Sequence, residues 1–170
     1  VYMLILGLTG GIACGKSHVS ACLKKEGCHI IDGDQISHAL TQPGGEALGD
    51  IREAFGPEIS DGETFLNRKA LAQKVFTSTE AMQQLNHIMQ PLILRRIEEG
   101  IRDARENEVA VCVLDMPLLF EQRLNRLCDR VWCVSLPRDT QIQRLMARDG
   151  LSREDAENRM RAQMDPLQKA

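Results

Sequence analysis

Hydrophobic positions along this chain follow two rhythms. The first is a set of short, unbroken apolar runs of strand length. "YMLILGL" (residues 2–8) ends in glycines, "CHIID" (28–32) ends in an acid, and "VAVCVLD" (109–115) and "RVWCVSL" (130–136) follow much later. Runs apolar on every position are what a strand buried on both faces shows, as in a parallel sheet. The second rhythm has helical spacing. "SHVSACLKKEG" follows the first run, with Gly27 as a stop signal, and a helix is predicted over 138–148 after the last run. Strand, glycine loop, helix, strand is the opening of a parallel sheet with right-handed crossovers, so the four runs read as strands of one α/β core over residues 1–35 and 108–148.

Between residues 36 and 107 the strand rhythm disappears. "EALGDIREAF", "NRKALAQKVF" and a long stretch over 79–106 are helical, and Pro91 is expected to kink or divide the last of these. A helical insertion between the second and third strands follows. "LSREDAENRMRAQ" (151–163) begins with Ser152 and has Asp155 three residues on, a variant of a capping box that opens one more helix.

Composition narrows the classes of partner. The 170 residues fit one domain with a proper core, and 43% hydrophobic with 26% charged is ordinary for a globular chain. A net charge of -3 and only 4% aromatic residues argue against a nucleic-acid binder. No apolar run approaches the ~18 residues that span a bilayer, and the opening segment lacks a basic leader, so no membrane association and a cytoplasmic location are expected. The six cysteines contain no C-x-x-C pair and the four histidines show no ligand spacing, so neither a zinc site nor a disulfide framework is expected.

The chemistry concentrates at "LTGGIACGKS". Gly10-x-x-x-x-Gly15-Lys16-Ser17 is the Walker A pattern, in which glycine lets successive N–H groups wrap a phosphate at a helix N-terminus. Its place between a strand and a helix is the one the mechanism requires. Lys16 reaches the β- and γ-phosphates, acting on the transferring group and not on the core, and Ser17 binds Mg²⁺. A P-loop alone leaves GTPase, motor, transporter and small-molecule kinase open. No N-K-x-D guanine-reading motif and no L-S-G-G-Q signature is present, and the chain is too short for a motor. A small chain with a helical insertion and nine arginines but no lysine between residues 123 and 161 suits a kinase that closes over two substrates.

Several side chains keep two readings. Asp32 and Asp34 follow the second strand, whose carboxyl end lies at the edge of the P-loop. Spaced two apart in an extended segment, both would face the site, and Asp34 would serve the acceptor hydroxyl; either could instead cap the helix of "QISHAL". Asp115 ends an apolar strand as a Walker B acid does, or simply makes a turn before Pro117. Arg144 and Arg148, at i and i+4, share a helix face that converges on a phosphate or faces solvent.

Seven stretches in order, "GLTGGIACGKS", "IIDGD", "TQPGGEAL", "LNRKALAQKVF", "LNHIMQPLI", "VLDMPLLFE" and "QRLMARDGLSREDAENRMRAQ", make essentially the whole chain resemble the dephospho-CoA kinase family. That family's loop usually reads G-I-G-S-G-K-S-T, so Ala13, Cys14 and His18 stand where glycine, serine and threonine do. If position 13 needs a positive φ, an alanine there is strained. Gln90 stands where a histidine usually precedes the proline. The resemblance implies a P-loop NTPase fold with a parallel sheet core, a helical CoA-binding subdomain (36–107) and a helical lid (149–165). It implies Mg²⁺-dependent transfer of the ATP γ-phosphoryl group to the ribose 3′-hydroxyl of dephospho-CoA. Carried onto this chain, Gly10, Gly11, Ala13, Cys14, Gly15, Lys16, Ser17 and His18 hold ATP, and Ser17 with Asp115 holds the metal. Asp32, Asp34, Arg68, Pro117, Leu118 and Glu121 meet the acceptor, and Lys16, Asp34, Arg144 and Arg148 carry catalysis. Two alternatives stay open: another P-loop metabolite kinase, or a regulator that binds nucleotide without transferring phosphate.

Overall fold

The computed structural model describes residues 2–61 and 65–161. These form two compact units, one holding the described residues up to Asp32 and from Ile101 onward, the other those of Gly33–Gly100.

In the first unit all four apolar runs are strands: β1 (Leu4–Gly10), β2 (His29–Asp32), β5 (Val111–Asp115) and β6 (Arg130–Val134). They make one parallel sheet in the order β2-β5-β1-β6. The central strands β1 and β5 are buried nearly throughout, which is why they carry no polar alternation. Helix α1 (Lys16–Lys25) lays Val19 and Leu23 against Leu6, Leu8 and Val113 of the sheet. It ends where Gly27 was expected to end it: Gly27 takes φ +87°, and the Gly27 and Cys28 amides donate to Lys24 and Leu23 carbonyls. After β6 come α6 (Arg138–Asp149) and α7 (Arg153–Arg161). Gly150 at φ +65° closes α6, and the Ser152 hydroxyl accepts from the Asp155 amide (3.1 Å), which is the anticipated cap. Residues 162 and 163 of the expected helix lie outside the described residues. Ile142 and Leu145 of α6 and Ala156 of α7 form a buried cluster, and each of the larger pair contributes about 2 kcal/mol of apolar burial.

The second unit is mainly helical: α2 (Gly33–Thr41), α3 (Leu48–Phe55), α4 (Arg68–Thr77) and most of α5 (Thr79–Glu106). Asn67 caps α4 by accepting from the Ala70 amide (3.0 Å). Leu40, Ile51, Phe55, Ile59, Leu71 and Val75 are among its buried apolar residues. Two features depart from expectation. A two-residue antiparallel pair, β3 (Ser60–Asp61) with β4 (Phe65–Leu66), sits in a segment read as strandless, because two residues cannot show an alternation. Pro91 does not divide α5, which runs unbroken for 28 residues. Its buried positions Ile93, Ile97, Ile101 and Ala104 keep helical spacing beyond the proline, and their burial outweighs the roughly 3 kcal/mol a mid-helix proline costs.

Candidate active site

β1 delivers the loop. Gly10, its last residue, passes so close to β6 that a Cβ there would lie 2.8 Å from the Val134 carbonyl oxygen, so only glycine fits. The loop turns through a Cys14 amide to Gly11 carbonyl bond (3.2 Å) and meets α1 at Gly15, which takes φ +90°. No side chain caps α1, so the Lys16 and Ser17 amides at the positive end of the helix are not taken by a cap. That is the arrangement that holds a phosphate.

Ala13 stands at φ +59°, so position 13 does require the left-handed region. An alanine there costs about 1 kcal/mol or more relative to glycine. Packing offsets this: Ile12 and Ala13 lie against the Ile142, Leu145 and Ala156 cluster. Gln141 of α6, only 3% exposed, also donates from Nε2 to the Ile12 carbonyl (3.1 Å) and to Cys14 Sγ (2.7 Å). Cys14 is itself buried. Gln141 was not anticipated; nothing in "TQIQRLMARD" distinguishes it from its solvated neighbours.

Lys16 does not project freely. Its ammonium pairs with the Asp115 carboxylate, with the two side chains 16% and 6% exposed. The lysine is therefore tied to the core as well as to the loop, contrary to the expectation that it acts on a phosphate alone. Asp115 ends β5 beside Leu8 of β1 and Asp32 of β2, its register partners, so two of the anticipated carboxylates sit side by side at the carboxyl edge. Ser17 and His18 are exposed on α1, where His18 Nε2 lies 3.8 Å from Cys22 Sγ. The His18 amide donates to the Gly15 carbonyl (3.0 Å).

Pro117, Leu118 and Glu121 follow β5 in a turn anchored by fully buried Leu119, with Leu118 and Glu121 exposed. The buried Thr9 hydroxyl donates to the Pro117 carbonyl (3.2 Å), fastening this turn to β1. Thr9 was also missed, although a lone hydroxyl directly after an apolar run was a visible signal. A Cβ built on Gly15 would come 3.8 Å from a guanidinium nitrogen of Arg144, so this arginine reaches the loop. Arg148 does not share its position: its fork is bound by Asp149 (2.7 and 3.0 Å), and that bond holds the Asp149 carboxyl below its ordinary range. Arg144 has no carboxylate partner among the described residues.

In the helical unit, Asp34 lies in the first turn of α2 and is exposed. The strand stops at Asp32 and the helix begins at Gly33, so the pair is not the extended segment whose alternation would aim both carboxylates alike. Arg68 opens α4 and donates to the Thr41 hydroxyl (2.9 Å) at the end of α2.

Comparison with known proteins agrees with this geometry. The family model described as dephospho-CoA kinase matches residues 4–170. A dephospho-CoA kinase of Moorella thermoacetica is 43% identical over 162 residues, covering 95% of this chain and 76% of that protein. Among solved structures, TT1252 from Thermus thermophilus superposes with a TM-score of 0.85 at 32% identity, over 99% of this chain and 84% of that one. A dephospho-CoA kinase from Campylobacter jejuni gives 0.63 at 27% identity, over 97% and 82%. A parallel sheet whose first strand ends in a phosphate-binding loop, matched along nearly its whole length, makes this chain a kinase that belongs to the dephospho-CoA kinase family.

Proposed function

We propose that the chain transfers the γ-phosphoryl group of ATP to the ribose 3′-hydroxyl of dephospho-CoA, giving coenzyme A and ADP. The observation that carries this reading is the match to the dephospho-CoA kinase family over residues 4–170, which favours neither another metabolite kinase nor a regulator that binds nucleotide. The uncapped first turn of α1 supplies amides for the phosphates, and Lys16 and Arg144 supply positive charge against the three γ-oxygens as the transfer spreads charge over them. The acceptor oxygen forms the new bond to phosphorus while the β,γ-bridging oxygen leaves with ADP. The hydroxyl proton passes to a carboxylate, the role assigned to Asp34. A loose transition state asks this group to orient the hydroxyl more than to strip it. Arg68, Pro117, Leu118 and Glu121 meet the acceptor.

The residues present suit Mg²⁺. Ser17 and Asp115 offer two hard oxygen donors beside the loop, and no group of three or more His, Cys, Asp or Glu among the described residues makes a metal cage of its own. That is the donor set of an ion held largely by nucleotide phosphates and water. When bound, Mg²⁺ neutralises charge on the phosphates. A cytoplasmic location accompanies this reading. No helix of the described residues is long and apolar enough to cross a membrane, and all six cysteines are free thiols.

The test is an acceptor screen following ADP formation, with dephospho-CoA, adenosine, AMP and shikimate in parallel. Dephospho-CoA is expected to give the highest kcat/KM. A higher value for another acceptor overturns the substrate, and ADP release that ignores every acceptor overturns the kinase.

A further inference from the structure

The loop carries an alanine at φ +59°, a conformation that disfavours a residue with a Cβ by about tenfold against its relaxed alternative. Something must hold it there. One side chain reaches both neighbours of Ala13: Gln141 Nε2 donates to the Ile12 carbonyl and to the side-chain sulfur of Cys14, straddling the strained residue. Gln141 is 3% exposed, and its bond to Cys14 is buried and that to Ile12 partly so, which leaves the carboxamide little solvent to exchange them for. The apolar cluster of α6 and α7 backs Ile12 and Ala13 from the same side. A glutamine at this place does what a hydrophobic residue cannot, because packing alone presses on a loop without fixing the direction of its carbonyls.

The geometry points to Gln141 as a positioning residue for phosphoryl transfer: it holds the Ile12 carbonyl on one side of Ala13 and the Cys14 side chain on the other, keeping the phosphate loop in the left-handed turn that aims its amides at nucleotide. It touches no reacting atom and acts through the loop. The inference rests on the loop being the ATP cradle. It goes beyond that reading by linking the first helix after the last strand to the shape of the cradle, and by explaining how this chain tolerates an alanine where glycine is usual.

Two variants remove the clamp, Gln141→Leu and the nearly isosteric Gln141→Met, the second preserving volume should the first fail to fold. In both, kcat/KM for ATP is expected to fall by about tenfold or more as Ala13 relaxes, while KM for dephospho-CoA stays within about twofold. Adding Ala13→Gly to either variant is expected to recover most of the loss, because glycine enters the left-handed region without steric cost. A merely structural glutamine would lower the melting temperature, leave the kinetic constants of the folded protein alone and gain nothing from Ala13→Gly. Unchanged ATP constants in the folded Gln141→Met protein, or failure of Ala13→Gly to restore them, overturn the inference. Lys16→Ala, run alongside, separates the two readings. If it keeps turnover, the ATP cradle and the clamp both fall; if it is inactive while Gln141→Met behaves as wild type, only the clamp falls.

Discussion

Replacing Lys16 with alanine should change two quantities that respond differently to a second mutation. The Lys16 ammonium neutralises an Asp115 carboxylate that is 4% exposed as a residue, and the lysine side chain itself is 16% exposed. Breaking a fully buried ion pair from one side costs about 3–5 kcal/mol, chiefly through the stranded charge. Lys16 keeps some contact with water, so the expectation for Lys16→Ala is about 2–3 kcal/mol, and a chain of this size loses about 2–4 °C of melting temperature per kcal/mol. Removing the second charge as well, in Lys16→Met with Asp115→Asn, eliminates the stranded carboxylate. Stability is then expected to return to within about 1 kcal/mol of wild type. Turnover is not, because the positive charge the phosphates need is absent in both proteins. Urea unfolding followed by circular dichroism gives the first quantity, and ADP release with dephospho-CoA, well below the melting transition, gives the second. A Lys16→Ala protein as stable as wild type would show that Asp115 does not depend on its cation. Normal turnover in the double variant would refute the assignment of the loop.

Two further outcomes follow from the geometry. Arg144→Lys, which keeps the charge but loses the planar fork beside Gly15, is expected to lower kcat about tenfold or more, whereas Arg148→Lys, whose wild-type fork is taken by Asp149, stays within about twofold; equal losses in steady-state ADP release would contradict this division. Burial raises the Cys112 and Cys128 thiols from 9 to about 11. Between those values the unfolded chain has released protons that the native chain still holds, so stability falls as pH rises from 9 to 11, and urea midpoints across this range should flatten in the Cys112→Ala, Cys128→Ala double variant if the thiols are responsible.

The sheet was legible because its central strands are buried on both faces and every strand leaves a short, unbroken apolar run; the phosphate loop was legible because its glycine spacing and following lysine stand between a strand and a helix. Helix ends at Gly27 and Ser152 were readable for the same local reason. What escaped depends on contacts between distant residues. Gln141 and Ile12 are 129 positions apart, and the Thr9 to Pro117 bond spans 108, so no window of sequence shows either. The separation of Arg144 from Arg148 turned on a neighbour, Asp149, that i, i+4 counting ignores. The expected division at Pro91 failed because propensity was weighed without the apolar stripe that continues beyond it. Asp34 was placed on a strand extension because a β-to-α junction without any connecting residue leaves no turn signal at Gly33.

Lys16 already has an anion, and this changes what nucleotide binding is. On the proposed reading, a phosphate arriving at the loop does not meet a vacant charge; it displaces a carboxylate that is tethered in place and therefore competes at a high effective concentration. A small monovalent anion, making one contact, has little with which to win that exchange. A polyphosphate chain engages the α1 amides at the same time and does have enough. On that reading Asp115 sets a threshold on ligand charge, making the lysine unresponsive to ordinary solution anions and ready to re-pair when the product nucleotide departs.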